Sequence, residues 1–408
     1  MSTTALIFAN QSKTQEFHPV FTKVYQMTVI ERTLHALERA GVKKAVLICG
    51  ENEAQLKQLL AKKKPPVIAL DYFQNITDTS FKREDAFLIT EPIVVSIDVL
   101  KKLKAATEDG KIHSVTTHNA TVAYIAKSEW SQSDKKRQSQ NVGGTEFDLI
   151  IDMSKEICTT IHTKAQLKPT KKALIKSLTK STDGWVASNL NRPISTSFSR
   201  ILAHTLITPN QFTVFTGIIA LVTGYFMVMG GYWNWLIAAG LFHLTSVMDG
   251  VDGELARLKF KSSPFGQWLD TVVDNLSYIV GLGGLIVGVY LNGVLTEMPM
   301  VKWAGIFAVI FSVLALGSLY LYLLRFGKGG TLLNVEYGYQ NQTGWYPKMM
   351  EVAAAFGKRD LFALLFLILA IFGQLPMALG YVAIMAAAVF GFSLQAHLIA
   401  GRKAKEAA

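Results

Sequence analysis

Two hydrophobic rhythms divide the chain. Up to about residue 155, short apolar runs alternate with stretches of helical periodicity. The runs at 3–9, 44–49, 66–70 and 86–90 read as buried strands. Between them, 28–40 places Ile30, Leu34 and Leu37 on one helical face, and Gly41 stops that helix. Further helices are predicted at 53–62 and 97–106, and weaker strands at 113–117, 121–126 and 147–152. Strands alternating with helices argue for a parallel sheet covered on both faces, an α/β Rossmann-like domain over 1–155.

The rhythm changes in the second half. Residues 156–207 are basic and amphipathic, with Leu174, Ile175 and Leu178 at helical spacing and Trp185 and Phe198 further on. Such a stretch before a membrane helix is expected to lie on an anionic leaflet. The alternative is a basic linker without lipid contact. Membrane-length apolar segments then follow at 210–230, 232–257, 264–291, 301–325, 360–374 and 376–400. The fifth is short. The expectation is an all-α six-helix transmembrane domain over 208–401.

Composition supports that division. The 408-residue chain is 50% hydrophobic and has a formal charge of +11; its mean hydropathy is +0.27. A basic balance suits nucleic acid, anionic lipid or an anionic substrate. Here the Lys and Arg residues cluster before and between the apolar runs, a membrane-face pattern, so no nucleic acid is expected. Lys259 and Lys261 follow the second segment, Arg325, Lys328, Lys348, Lys358 and Arg359 the fourth, and Arg402, Lys403 and Lys405 the sixth. The opposite loops hold only Lys302. Both termini are therefore expected on the cytoplasmic side of the cytoplasmic (inner) membrane. The sequons at Asn75, Asn119 and Asn341 then face away from glycosylation. Cys49 and Cys158 have no metal-type spacing and read as reduced thiols. The N-terminus lacks the basic and apolar regions of a signal peptide.

One acidic stretch stands out between the second and third segments. It carries Asp249, Asp252, Asp270 and Asp274. An Asp at the centre of a membrane helix costs about 2.5–3.5 kcal/mol, so something must offset these four. Read as helix, Asp249, Asp252, Gly253 and Ala256 share one stripe, with Arg257 beside it. Gly266, Asp270 and Asp274 share another, and Pro264 suits the first turn of that helix. Two antiparallel helices would then present two carboxylates each to a common cleft. All-oxygen ligation suits Mg²⁺, Mn²⁺ or Ca²⁺, and two ions commonly clamp phosphoryl oxygens. A diphosphate is the expected ligand, with Arg257 adding charge complementarity. Spacing alone does not say which Asp is a base. The alternative is a cation transporter or channel, whose carboxylates would spread through the bilayer depth.

The spacing D-x-x-D-G-x-x-A-R-x8-G-x3-D-x3-D resembles the signature of the CDP-alcohol phosphotransferase family at every position. The resemblance covers about residues 180–400. It implies that a CDP-alcohol is attacked by the hydroxyl of a second alcohol, that CMP leaves and that a phosphodiester forms. It implies Asp249, Asp252 and Asp270 as ligands of Mg²⁺ or Mn²⁺, and Asp274 as general base that also touches a metal. Gly253, Ala256, Arg257 and Gly266 would line the CDP site. Thr208–Asn210 resembles the family's start of the first membrane helix and adds Asn210 to it. A homodimer is usual in the family.

The first domain carries a second resemblance. HPVFTKVYQMTVIERTLHALERAGVKKAVLICG has the order of a sugar-nucleotidyltransferase's lysine loop, first helix and second strand. That family's Gly-rich phosphate loop is replaced by ANQSKTQEFH, and Glu91 is the nearest substitute for its metal-binding Asp. The domain is therefore expected to be nucleotidyltransferase-like but inactive. Lys23 is either an anion ligand or a solvated surface lysine. The whole arrangement resembles the bifunctional inositol-phosphate cytidylyltransferase / di-myo-inositol-phosphate-phosphate synthase proteins. Arg325 and Lys328, with Lys348 and Arg359, are candidates by position for an acceptor phosphate. Their alternative is a surface charge that sets topology.

Overall fold

A computed structural model of the chain describes residues 3–10, 17–63, 68–75, 85–106, 113–117, 120–125, 149–150, 156–179, 185–326 and 356–406. The chain folds as two units. The first comprises Met1–Lys180, Arg200–Leu206 and Leu258–Phe260, and the second Ser181–Ser199, Ile207–Arg257 and Lys261–Ala408.

The first unit is built on a seven-stranded sheet of order β10-β8-β9-β6-β1-β4-β5. Here β1 is Thr3–Phe8, β4 Val42–Ile48, β5 Ala69–Phe73, β6 Ala86–Ile89, β8 His113–Thr117, β9 Ala120–Ile125 and β10 Leu149–Ile150. Two small ribbons pair β2 (Lys23–Val24) with β3 (Met27–Thr28) and β7 (Ile93–Val95) with β11 (Cys158–Thr160). The central strands β5, β4, β1 and β6 run parallel. β1, the C-terminal part of β4 and β6 are buried on both faces, which is why they read as unbroken apolar runs, whereas the edge strand β5 is half-buried and mixed in sequence. Ala5, Ile7 and Leu47 pack with Leu34 and Leu37 on one side, and Leu6, Val46, Ile48 and Leu88 cluster on the other. A wholly parallel sheet was expected; β9 instead runs antiparallel to both β6 and β8. β8 and β9 are too close in sequence for the crossover that a parallel pair needs.

Helices α1 (Val29–Arg39), α2 (Glu53–Lys63) and α3 (Ile97–Ala106) flank the sheet. A capping box starts α1: Glu31 N donates to Thr28 Oγ1 at 3.3 Å and Thr28 N to Glu31 Oε2 at 2.6 Å. Helix α4 (Lys164–Lys176) lies in the stretch expected on a lipid surface, yet Ile175 and Leu178 are buried against Val24, Tyr25 and Val94. Packing against these apolar groups accounts for its spacing.

The second unit contains most of α5 (Arg192–Leu202), then α6 (Pro209–Met229), α7 (Tyr232–Leu258), α8 (Pro264–Leu291), α9 (Pro299–Phe326), α10 (Arg359–Ile371) and α11 (Ala378–Glu406). Among the described residues, four helices are long and apolar enough to cross a membrane, at Pro209–Met229, Pro264–Leu291, Pro299–Tyr322 and Leu375–Arg402. Of the six expected spans, the second and fifth differ from these. The 27 residues of α7 include Asn234, His243 and the charges at its C-terminal end, while α10 has only 13 residues.

The core of this unit lies where α7, α8 and α10 meet, around Phe242, Leu285, Val289 and Phe366. Helices α6 and α8 approach through glycines. A Cβ on Gly284 would stand 2.9 Å from the carbonyl oxygen of Gly224, and one on Gly288 would strike the Met227 carbonyl. Small residues of this kind let two helix backbones touch.

Candidate functional site

The acidic stretch folds as two helix ends facing each other across a turn. Asp252 lies six residues before the end of α7 and Asp270 six after the start of α8, so each is about 9 Å along its helix from the turn. Asp249 and Asp274 lie one helical turn deeper. The start of α8 is fixed locally: Ser263 Oγ accepts from Gly266 N at 3.0 Å, and Pro264 occupies the first turn. Helix α6 begins the same way. Pro209 follows the cap residue Thr208, whose Oγ1 accepts from Gln211 N at 3.3 Å.

Three helices converge on the chemistry. Asp249, Asp270 and Asp274 each place a carboxylate oxygen within 4.8 Å of the others. The donor set is all oxygen, which fits a hard divalent cation and not a thiolate-seeking one. Asp252 is buried and accepts from Thr213 Oγ1 of α6 at 2.5 Å. Asp252 and Asp270 also line a cavity of about 160 Å³. Its other walls include Asn210, Gly253, Ala256, Arg257 and Gly266. Asp270 thus belongs both to the carboxylate cluster and to the cavity. A side chain at Gly266 would displace its neighbours, since a Cβ there would stand 2.9 Å from Asn210 Oδ1 and 3.2 Å from Ser263 Oγ. At Gly253 the nearest atom to such a Cβ is Arg257 Nη1, at 3.7 Å.

Arg359, at the start of α10, lies inside this site and is not a surface charge. Its Nη1 donates to Asp249 Oδ1 at 3.2 Å and to Asp274 Oδ1. Its Nη2 donates to Ser277 Oγ at 2.9 Å, and its guanidinium lies 5.2 Å from the Tyr278 ring centroid. Arg325 is exposed at the end of α9 and does not line the cavity. Lys328 and Lys348 lie outside the described residues.

Sequence reasoning passed over one further acid. Glu254 is fully buried, two residues beyond Asp252. It accepts from Arg192 Nη1 at 2.6 Å, Ser195 Oγ at 2.9 Å and Ser199 Oγ at 2.6 Å. These donors lie on one face of α5, so Glu254 ties α5 to α7 just beside the metal-type carboxylates. The opposite face of α5 exposes Ile194, Phe198 and Ile201. The spacing of Arg192, Ser195 and Ser199 on one helical stripe was the available signal.

In depth the four aspartates occupy adjacent turns of two helices. An ion pathway would need them spread along the helices.

The likenesses of the chain agree with this geometry. Residues 206–394 match the family model for CDP-alcohol phosphatidyltransferase. A bifunctional IPC transferase and DIPP synthase from Aquifex aeolicus (strain VF5) is 36% identical over 115 residues, covering 28% of this chain and 26% of its own. The protein of that name from Archaeoglobus fulgidus is 24% identical over 216 residues, 50% of this chain and 43% of its own. An archaetidylinositol phosphate synthase from Pyrococcus horikoshii is 35% identical over 92 residues, 21% of this chain and 47% of its own. The chain therefore spans less than half the length of each of these relatives. Among solved structures, a 4-diphosphocytidyl-2C-methyl-D-erythritol synthase from Anaerococcus prevotii aligns at TM-score 0.33 and 14% identity, over 42% of this chain and 98% of its own. The α/β character of the first unit is read from its sheet. For the second unit, the carboxylate spacing and the cavity beside it fall within the segment, residues 206–394, that matches the CDP-alcohol phosphatidyltransferase family model.

Proposed function

We propose that the chain is an integral-membrane transferase that moves a substituted phosphate from a CDP-alcohol to an acceptor alcohol, releasing CMP. The observation that carries this reading is the double role of Asp270, which lines the cavity and belongs to the carboxylate cluster. Nucleotide held by Asn210, Gly253, Ala256, Arg257 and Gly266 would place its diphosphate beside the acids. Asp249, Asp252, Asp270 and Asp274 are the residues to hold divalent metal, and the first, third and fourth of them already converge. Mg²⁺ or Mn²⁺, as two ions, would supply positive charge to the diphosphate oxygens when bound. Asp274 takes the proton of the acceptor hydroxyl as that oxygen attacks the β-phosphorus. The bond from the β-phosphorus to the CMP oxygen breaks, and a phosphodiester remains. Arg359 holds Asp249 and Asp274 in place by its two-way pairing.

The names of the relatives suggest the product class. Inositol phosphate or a lipid head group is the acceptor type to try first, with Arg325 and Lys328 as candidates for its phosphate. Lys and Arg near the ends of the apolar helices favour a cytoplasmic site and cytoplasmic termini. The exposed Ile194, Phe198 and Ile201 of α5 suit the lipid interface, and a homodimer remains the expected assembly. The first unit is read as inactive in CTP chemistry. At the sheet's topological switch point, where such folds bind ligands, the described residues leave a cavity of about 10 Å³ lined by Ile7, Val20, Val29 and Ile89 together with Thr33 and Glu91.

The test is a mass-spectrometric assay of purified protein with CDP-diacylglycerol or CDP-inositol against candidate acceptors, with and without Mg²⁺. Metal-dependent CMP release is expected. Asp274→Asn should lower it by about 10²–10⁴-fold, the usual size of a lost general base. Full CMP release by that variant would sink the base assignment. Cation uptake into proteoliposomes without any CDP-alcohol would sink the transferase reading.

A further inference from the structure

The turn between α7 and α8 is held by more groups than a chain reversal needs. Arg32, on α1, is buried. Its Nε donates to the Val24 carbonyl at 3.0 Å and its Nη2 to the Leu258 carbonyl at 2.6 Å. Leu258 ends α7, and the last carbonyls of a helix have no partner within it. Basic side chains can satisfy them. Two residues on, Phe260 takes a left-handed conformation with φ 51°. For an aromatic residue this persists only where the surroundings impose it.

Those surroundings are a stripe of α1. The Phe260 ring stacks on His35, with centroids 5.4 Å apart and planes at 17°. The guanidinium groups of Arg32 and Arg39 lie 5.7 and 5.8 Å from its centroid, and Arg39 Nη2 donates to the Phe260 carbonyl at 3.3 Å. Positions 32, 35 and 39 share one helical face. Between the two held residues, Lys259 Nζ donates to the carbonyls of Leu202 and Thr205 at 2.9 and 2.8 Å. Leu258–Phe260 belong to the first unit. In the chain they are bracketed by Arg257 and Lys261, both of which line the cavity.

We propose that α1 is a positioning element for the cavity: Arg32, His35 and Arg39 fix the backbone of Leu258–Phe260, and so fix where Arg257 and Lys261 begin. The inference rests on the reading of that cavity as the CDP site. It gives the first unit a purpose that needs no nucleotidyl transfer. The three α1 side chains act through the turn and touch no substrate.

The test uses the full chain in detergent, as wild type, Arg32→Leu and Phe260→Leu, each checked for folding by thermal unfolding. Two readouts are taken: hydrogen exchange of the amides from 257 to 263, and equilibrium binding of CDP with Mg²⁺. Both variants should exchange faster in the turn and bind CDP at least about tenfold more weakly, within the loss of up to about a hundredfold that a misplacement of about 1 Å causes. Unchanged exchange in a folded variant would overturn the proposal, as would faster exchange with wild-type CDP affinity. If Arg32→Leu does not fold, Phe260→Leu decides by the same two readouts. Failure of the wild type to bind CDP would instead overturn the reading of the cavity, while the exchange measurement still reports on the brace.

Discussion

Arg359 donates to Asp249 Oδ1 at 3.2 Å across 110 residues of sequence, and the same nitrogen reaches Asp274. One guanidinium therefore joins carboxylates of two helices at the point where a cation would be held. Arg359→Gln should leave those acids without a counter-charge. In chelator, the variant is expected to be less stable than wild type by about 1–3 kcal/mol, the range for bonds to charged groups. The partial exposure of the two aspartates places it at the low end. Added Mn²⁺ should stabilise the variant more than the wild type. Melting curves in detergent, with EDTA and then with MnCl₂, check this; identical curves in EDTA would show that the pair contributes nothing.

Gly266→Ala should separate binding from stability. Alanine favours a helix over glycine by about 1 kcal/mol, so the melting temperature should hold. The new methyl meets Asn210 Oδ1 and Ser263 Oγ inside normal contact distance. CDP affinity should fall by about tenfold or more, since overpacking costs about 1–3 kcal/mol. Equilibrium dialysis with labelled CDP reads this directly, and an undiminished affinity would remove Gly266 from the nucleotide wall.

Glu254 offers the opposite separation. Glu254→Ala removes a fully buried acid that accepts from Arg192, Ser195 and Ser199. Breaking a buried pair in this way costs about 3–5 kcal/mol. Glu254→Gln keeps an acceptor and should lose less. Thermal unfolding of the two variants should therefore rank alanine below glutamine below wild type. Equal melting of all three would mean that α5 is held by other contacts.

Cys49 gives a pH prediction for the first unit. Burial, and then the nearby Glu53, raise its thiol from 9.0 to about 11. The folded state thus holds the proton more tightly than the unfolded state. The stability this contributes is fully present below pH 9.0 and is lost as pH rises towards about 11. Iodoacetamide at pH 8 should label Cys49 slowly in folded protein and readily after denaturation. Cys49→Ser should flatten the fall of stability between these two pH values. Rapid labelling of the folded protein would contradict the burial.

The carboxylate site could be read ahead of the structure because its spacing is helical. Offsets of three and four put Asp249 with Asp252, and Asp270 with Asp274, on shared stripes whatever the tertiary packing. Arg359 was named only by position, because the partners of a lone arginine so far along the chain depend on packing that no local pattern encodes. Glu254 is a related case: its offset of two from Asp252 turns it to another face of the helix, but the three donors it meets there lie some 55–62 residues away and are brought to it only by packing. In the first unit, the apolar runs located β1, β4 and β6, but strand direction at β8 and β9 is set by loop length. The membership of Leu258–Phe260 in the first unit had no signal in periodicity at all.

The glycine contacts between α6 and α8 carry a further consequence. Gly284 and Gly288 bring the two backbones together, since a Cβ on either would meet a carbonyl oxygen of α6, while Gly224 receives the Val280 side chain. The helices cannot separate there without losing backbone packing. Pro209, Asn210 and Thr213 on α6, and Gly266, Gln267 and Asp270 on α8, are therefore two walls of the cavity that travel as one body. The third wall is the end of α7 that carries Asp252 to Arg257, and Asp252 ties it to Thr213 of α6. The cavity is therefore bounded by one pair of helices joined backbone to backbone and by a third joined to them through a hydrogen bond.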